Sequence, residues 1–180
     1  PTFSVSKSYQ IDLSSVSDVK VKVNPMITSM PAEYQIEFKT GIQGELSADD
    51  TIHIVFDVGQ QLPAVIAKAN ILINGMLISS DPIVDGKMVT IKAGKTILAG
   101  STISVVFKKE ALIQNPMYAG SYKIKVFTSK EMVLVESNPF EIVQNSTLSN
   151  LSIKASPATV NSIGQYTLTF NLGPYGSLVE

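Results

Sequence analysis

The sequence predicts an all-β fold in which antiparallel strands form a sandwich, and it predicts that this sandwich is repeated in a tandem array. Two observations lead to this prediction. Apolar and polar residues alternate along several short segments, a pattern typical of strands that bury one face. In addition, residues 17–47 align without a gap on residues 149–179, so part of the chain occurs twice, with a period of 132 residues from 17 to 149.

Several segments alternate clearly between apolar and polar residues, and each is predicted to form a strand: 19–23, 34–38, 51–56, 88–92, 101–107 and 121–127. Because successive side chains of a strand point to opposite faces, one phase of the alternation gives the expected core. The expected core residues are Val19, Val21, Tyr34, Ile36, Phe38, Ile52, Ile54, Phe56, Ile71, Ile73, Val89, Ile91, Ile103, Val105, Phe107, Tyr122, Ile124, Val126, Phe140 and Ile142. Helix is expected only as short turns around 62–68 and 109–114, where Ala and Leu replace β-branched residues.

Turn-forming pairs separate these segments at short intervals, and Asp85-Gly86 is the best candidate for a hairpin turn. The other pairs are Asn24-Pro25, Asn74-Gly75, Ala93-Gly94, Asn115-Pro116, Ala119-Gly120 and Asn138-Pro139. About eight or nine short strands in about 130 residues favour a Greek-key sandwich of immunoglobulin type. The chain lacks the cysteine pair and the tryptophan that mark an antibody-like domain, and a closed barrel is the alternative.

The duplicated stretch divides the chain into one complete module and parts of two others. Its matched pairs include Pro25 with Pro157, Tyr34 with Tyr166, Phe38 with Phe170, Gly41 with Gly173 and Gly44 with Gly176. A weaker similarity places Phe3 on Phe140 and Val5 on Ile142. We therefore expect the last strand of a preceding module plus a linker at 1–16, a complete module at 17–144, and the opening strands of a following module at 145–180. The chain is expected to be part of a longer array.

A series of motifs runs through the complete module: Y-x-I-x-F-x-T-G-x-x-G-x-L (34–46), D-D-T-I-H-I-V-F (49–56), I-L-I-N-G (71–75), A-G-S-Y-K-I-K-V-F-T-S (119–129) and S-N-P-F-E-I (137–142). This series resembles an immunoglobulin-like tandem repeat of large secreted bacterial surface proteins, often found beside surface-layer (S-layer) anchoring domains. The resemblance covers the whole module and rests mainly on core and turn positions. It implies an extracellular spacer in surface-layer-associated, adhesin-like or filament proteins, and it carries over no binding residue.

The composition argues against nucleic acid and against membrane insertion. The net charge is −1, and all 14 basic residues are lysines, so the chain lacks the arginines that make bidentate phosphate and guanine contacts. No apolar run approaches the roughly 18 residues of a membrane helix. The absence of cysteine excludes disulfides, thiolate metal sites and a cysteine nucleophile.

The sequence contains few side chains suited to catalysis, so we expect neither enzymatic activity nor a cofactor. His53 is the only histidine, and it alternates outward along its strand, which favours a solvated position over a catalytic one. Asp49, Asp50 and Asp57 flank that same strand and are candidate calcium ligands, because carboxylate oxygens suit this ion. Solvated loop charge is the favoured interpretation of these three aspartates.

We expect a structural or adhesive repeat that acts as a spacer and assembly element on the cell surface. The alternative is a carbohydrate- or protein-binding module attached to an extracellular enzyme. A glycan platform would need clustered, exposed aromatic rings. The tyrosines expected to point outward, Tyr9, Tyr118 and Tyr175, are scattered along the sequence.

The second copy of the duplicated stretch lacks the strands that should cover its apolar face, so we expect an association face there. The expected face is formed by Leu151, Ile153, Tyr166, Leu168 and Phe170. Phe3 and Val5 lie in the strand expected at 1–6, which is an available donor for the incomplete module of a neighbouring chain. An isolated hairpin is marginally stable in water. We therefore expect the face to pack on the complete module or on another chain, by strand addition at an open edge.

Overall fold

The structure, a computed structural model, describes residues 13–144 and 148–173. These residues contain fourteen β-strands. In chain order they are β1 (Ser17–Asn24), β2 (Glu33–Lys39), β3 (Thr51–Val55), β4 (Ile71–Ile73), β5 (Met76–Leu77), β6 (Ile83–Asp85), β7 (Met88–Lys92), β8 (Thr102–Phe107), β9 (Gly120–Tyr122), β10 (Lys125–Thr128), β11 (Val135–Glu136), β12 (Phe140–Ile142), β13 (Ser149–Ser156) and β14 (Gln165–Asn171). Two single 3-10 turns, Lys68–Asn70 and Lys109–Ala111, lie close to the segments where helical turns were predicted. Among these residues no helix is long and apolar enough to span a bilayer.

Two five-stranded antiparallel sheets form the body of the fold. The strand order is β1-β2-β8-β4-β5 in one sheet and β11-β10-β3-β7-β6 in the other. Two smaller pairs, β9 with β12 and β13 with β14, are also antiparallel. The all-β prediction is confirmed. The barrel alternative is wrong, because the described strands form separate sheets with free edges rather than one closed sheet.

The apolar core lies between the two sheets and contains the residues that the alternation predicts. Of the expected set, Val21 and Tyr122 are partly buried against the core and every other member is buried. Four aromatic rings connect the layers: Tyr34 meets Phe56 edge-on with 5.4 Å between ring centroids, Phe56 meets Phe107 at 5.6 Å, and Phe140 lies 6.3 Å from Tyr34. Leu46, Ile66, Ile97 and Ile113 join this core from loops, where no alternation pointed to them.

The two-residue turns follow the glycine signals. Asn74-Gly75 joins β4 to β5 directly, with both residues in the left-handed region, as a tight hairpin turn requires. Between β6 and β7, Asp85 pairs with Met88, and Gly86 adopts a positive φ of 58°. The predicted Asp85-Gly86 hairpin is therefore confirmed.

The segment predicted as a single strand over 121–127 instead changes sheet in its middle. Its first part, β9, pairs with β12, and its second part, β10, pairs with β3 and β11. At the crossing point Ile124 is buried, and its N–H donates to the hydroxyl of Ser137. A side-chain acceptor thus replaces the strand partner that is lost where the chain crosses between the layers.

The last strand of the module runs in the same direction as the first. The N–H of Asn138 donates to the carbonyl of Val19 near the start of β1, and Val143 forms a parallel bridge with Ile27 beyond its end. The chain therefore enters the sandwich at one end and leaves it at the opposite end.

We name these two ends by the order in which the chain meets them. The leading end comprises the segments 13–16, 40–45, 98–101 and 129–134, and the trailing end comprises 25–32 and 112–119. At the leading end, the N–H of Gly100 donates to the carbonyl of Gly41. At the trailing end, the N–H of Ser29 donates to the carbonyl of Pro116.

The core predicts a strong asymmetry between two phenylalanines at matched positions of the repeat. Phe38 is fully buried between the sheets, so Phe38→Ala is expected to lower the free energy of unfolding by about 3–5 kcal/mol. Phe170, its counterpart in β14, is only half-buried, so Phe170→Ala is expected to leave the unfolding of the module nearly unchanged. Urea denaturation followed by tyrosine fluorescence measures both. Equal losses would contradict the assigned core.

Candidate functional site

The hairpin β13–β14 repeats the hairpin β1–β2 in backbone detail. Corresponding strands have equal lengths, eight and seven residues, and their bounds differ by the 132-residue period. The pairing register shifts at the same place, between Ser17 and Lys20 in one copy and between Ser149 and Ser152 in the other. The local sequence therefore builds the same hairpin twice.

Left-handed residues also recur at matched positions of the two hairpins. Asp18 and Asn150 share a φ of 54° inside the register shift, where a short polar side chain tolerates this conformation. Ser29 and Asn161 have φ values of 57° and 61° in the connections between the strands. These backbone features depend on local sequence, so they survive in the second copy even though its surroundings differ.

The surroundings of the two copies differ completely. Tyr34 of β2 is fully buried, whereas its counterpart Tyr166 is 70% exposed. β2 pairs with β8 from Tyr34 to Lys39, whereas β14 pairs with β13 alone among the described residues. The second hairpin thus has the same apolar face and a free edge, without the cover that the first copy has.

The structure brings the predicted association residues of this hairpin onto one exposed face. Leu151, Ile153, Tyr166 and Leu168 are exposed, and Phe170 is half-buried. Within the described chain, this face does not pack on the complete module. Phe3 and Val5 lie outside the described residues.

A buried carboxylate, which the sequence analysis missed, closes the leading end. Glu131 is fully buried in the turn after β10, and both of its carboxylate oxygens accept the N–H of Gly41, at 3.1 and 3.0 Å. The hydroxyl of Ser14 donates to the same carboxylate. Glu131 therefore joins three segments: the segment that enters the module, the loop after β2 and its own turn.

The G-x-x-G spacing of residues 41–44 exists because of this carboxylate. A Cβ atom at Gly41 or at Gly44 would lie 2.3 Å from an oxygen of Glu131, closer than any nonbonded contact allows. The same spacing recurs as Gly173 and Gly176, and Gly176 lies outside the described residues. The recurrence of two glycines was the available signal, but it could not identify the acidic partner.

The trailing end is organised by Asn115, which is buried. Its amide donates to the carbonyls of Pro25 and Ile27, at 2.7 and 2.8 Å, and its oxygen accepts the hydroxyl of Tyr34. Burial raises the pKa of Tyr34 well above its ordinary value, so this hydroxyl stays a donor. Polar side chains thus fix the loops at both ends of the sandwich.

His53 faces outward from its sheet, as predicted, yet it is half-buried by its neighbours. Its ring nitrogens lie 2.8 Å from the hydroxyl of Thr51 and 3.0 Å from that of Thr90. The ring stacks on Phe127 with 4.4 Å between centroids. Partial burial lowers the pKa of His53 because the charged form loses hydration. These contacts hold the imidazole within the sheet surface.

The three candidate calcium ligands do not come together. β3 separates Asp49 and Asp50 from Asp57, and a strand rises about 3.3 Å per residue, so the grouping is wrong. Asp49 pairs with Lys92 at 3.0 Å. Across the described ranges, no three His, Asp or Glu side chains are placed to hold a metal ion.

Asp50 instead holds two loops together. The N–H and hydroxyl of Ser47 donate to its carboxylate at 2.8 and 2.7 Å, and the hydroxyl of Ser129 donates at 2.9 Å. These donors, with the N–H of Ser47 foremost, hold the pKa of Asp50 far below its ordinary value. Its oxygens are therefore already occupied by protein donors.

An open groove of about 580 Å³ lies where the chain crosses between sheets, beside Asp57, Lys123, Lys125 and Glu136. Both lysines pair with Glu136, at 2.9 and 3.4 Å, and the nearer one, Lys123, contributes most to lowering the pKa of Glu136. The charges of the groove are therefore largely balanced. Tyr118 is exposed at the trailing end, whereas Tyr9 and Tyr175 lie outside the described residues.

Comparisons with known proteins leave the chain without an assigned family. No protein-family model matches it, and no curated protein matches it. Among solved structures, it is similar to the crystal structure of BslA, a bacterial hydrophobin, with a TM-score of 0.49 and 12% sequence identity. That alignment covers 76% of this chain and 99% of the BslA chain.

The depressed pKa of His53 predicts a pH dependence with a definite sign. The unfolded chain binds the His53 proton near pH 6.5, whereas the folded chain binds it only at lower pH. Burying His53 in its neutral form therefore costs no stability above pH 6.5. As the pH falls below 6.5, the unfolded chain gains the proton first, and the folded state loses stability relative to it. Urea midpoints of the wild type and of His53→Gln, measured across this range, are expected to converge at low pH. Parallel curves would contradict the assigned environment.

The Glu131 contact predicts that Gly44 resists substitution. Gly44→Ala places a methyl group against a buried carboxylate, so a loss of about 1–3 kcal/mol is expected, as for other overpacked sites. Gly120→Ala is the matched control, because its new Cβ would meet the Tyr122 ring at an ordinary 3.7 Å. Thermal unfolding compares the two variants. If Gly120→Ala proved the more damaging, the role given to Glu131 would be wrong.

Proposed function

We propose that this chain is a non-catalytic structural repeat of a secreted bacterial surface protein or filament, in which it acts as spacer and assembly element. Its complete module spans residues 17–144, and residues 145–180 open a following module. In this proposal the module is an immunoglobulin-like Greek-key sandwich, and its function is to occupy length and to join its neighbours.

One observation carries the proposal: the same hairpin occurs twice in the chain, once covered and once uncovered. The covered copy, β1–β2, owes its burial to β8 at its edge and to the opposite sheet across its face. The uncovered copy exposes Leu151, Ile153, Tyr166 and Leu168 to solvent. A two-stranded hairpin is marginally stable alone, so this copy is suited to a chain that supplies further strands.

The proposed surface location rests on the motif resemblance and on composition. The motifs between 34 and 142 resemble repeats of secreted surface proteins, and the chain contains no cysteine. A spacer needs stability and length rather than a reactive site. The polar groups at both ends of this module are engaged in holding loops, which agrees with that requirement.

A fused chain tests the array directly. The period places Gly176 on Gly44, so residues 1–176 can be followed by residues 45–144, which supply the strands missing from the second module. We expect this fused chain to fold as two modules, with about twice the unfolding enthalpy of one, because enthalpy scales with the number of ordered residues. Calorimetry gives the enthalpy, and hydrogen exchange should show the amides of β14 newly protected.

A matched variant distinguishes folding of the second module from nonspecific association of its apolar segments. Tyr166→Ser in the fused chain removes the ring equivalent to the buried Tyr34 and should abolish the second unfolding unit only. If β14 exchanged in the fused chain as fast as in the original chain, residues 145–180 would not open a module and the proposal would fail.

A further inference from the structure

We infer that the two ends of the module are mating surfaces, so that the trailing end of one module packs directly on the leading end of the next copy. This inference rests on the proposed tandem function and adds its partner and its geometry. The interface would be heterologous, because each module contributes a different surface at each end.

The path of the chain sets this geometry. Because β12 runs parallel to β1, the chain leaves the module at the trailing end, whereas the entering segment lies at the leading end. In a tandem array, every junction therefore faces one trailing end towards one leading end. If the chain instead left the module at the end where it entered, like ends would lie next to each other at a junction. The parallel direction of β1 and β12 excludes that arrangement.

The junction is also short. At the trailing end, Val143 is held by main-chain hydrogen bonds to Met26 and Thr28. At the leading end, Val16 is buried in the core, and its counterpart in the second copy is Leu148. The four residues between Val143 and Leu148 span at most about 18 Å when fully extended. Once a second module has buried Leu148, its leading end must lie within that distance of the first module.

Both ends expose apolar side chains at the junction. At the leading end, Ile42 is 87% exposed and Met132 is 74% exposed, and Leu98 is also exposed. At the trailing end, Met117 and Tyr118 are 60% and 75% exposed. Clustered apolar exposure marks interaction surfaces, and methionine and tyrosine are enriched in the centres of interfaces. Each end thus presents exposed apolar side chains that contact with the other end would bury.

The loops that carry these side chains are fixed in advance. Glu131 ties the loop of Ile42 to the turn of Met132, and Asn115 ties the segment before Met117 to the carbonyls of Pro25 and Ile27. Little conformational freedom remains to be lost when the ends meet, which favours association. The array is therefore expected to be stiff rather than a string of freely rotating modules.

Distance measurements on the two-module fused chain test this stiffness. The natural chain contains no cysteine, so Lys22→Cys and Lys154→Cys place two spin labels uniquely, at matched exposed positions of the two modules. We expect pulsed electron spectroscopy to give a single narrow distance distribution. In the original 180-residue chain the same labels should give a broad distribution, because the second module is incomplete.

A pair of charge variants identifies the surface. Met117→Glu in the first module should broaden the distance distribution, because it would bury a charge in the junction and so disfavour contact between the two ends. Ile83→Glu is the matched control: Ile83 is 67% exposed on an edge strand away from both ends, and the peak should persist. Both residues are exposed, so neither substitution is expected to unfold its module, and thermal melting verifies this.

Two failures can be told apart. If calorimetry shows two folded modules while the labels give a broad distribution, the mating surfaces are refuted and the proposed repeat function stands. If the second module does not fold, the proposed function itself fails. A narrow peak that survives Met117→Glu would also overturn the assigned surface.

Discussion

The fold depends on burying the apolar face of the hairpin β1–β2 against the opposite sheet, and Tyr34 lies at the centre of this packing. Its ring meets Phe56, which directly follows β3 of the opposite sheet, edge-on, and it lies close to Phe140 of β12. Its hydroxyl donates to Asn115, which in turn holds the trailing end through Pro25 and Ile27. Edge-to-face rings add to simple area burial, and the bonded hydroxyl avoids the cost of a buried unpaired donor. One side chain thus connects both sheets, strand β12 and the trailing end.

The two hairpins separate what local sequence encodes from what tertiary contact supplies. Strand lengths, the register shift and the left-handed residues recur in both copies, so these follow from nearby residues alone. Burial does not recur: Tyr34 is inaccessible and Tyr166 is largely exposed. A hairpin buries too little apolar area to protect its own face, and the difference between the copies is therefore a difference in partners, not in propensity.

The same distinction explains which features were predictable from the sequence. Alternation identified the core of β2, β3 and β8, because one face of each strand is buried along its whole length. It placed Ile124 in the core correctly, but it did not show that the strand changes sheet there, since the pattern of inward residues continues unbroken across the crossing. The repeated glycines were visible, but their partner Glu131 lies 90 residues from Gly41, and no local pattern connects them. The calcium grouping failed for a related reason: residues that flank a strand are close in sequence and far apart in space.

The buried Glu131 determines how the module receives the chain before it. A carboxylate without water must accept hydrogen bonds from the protein, and here its donors are the main chain of Gly41 and the hydroxyl of Ser14, which lies just before β1. An apolar contact at this place would leave the entering segment free to slide, because apolar contacts are not directional. A carboxylate fixes both position and direction, and it requires glycine wherever a Cβ would displace it. The G-x-x-G spacing is therefore a constraint imposed by the buried carboxylate that holds the entering segment to the loop after β2.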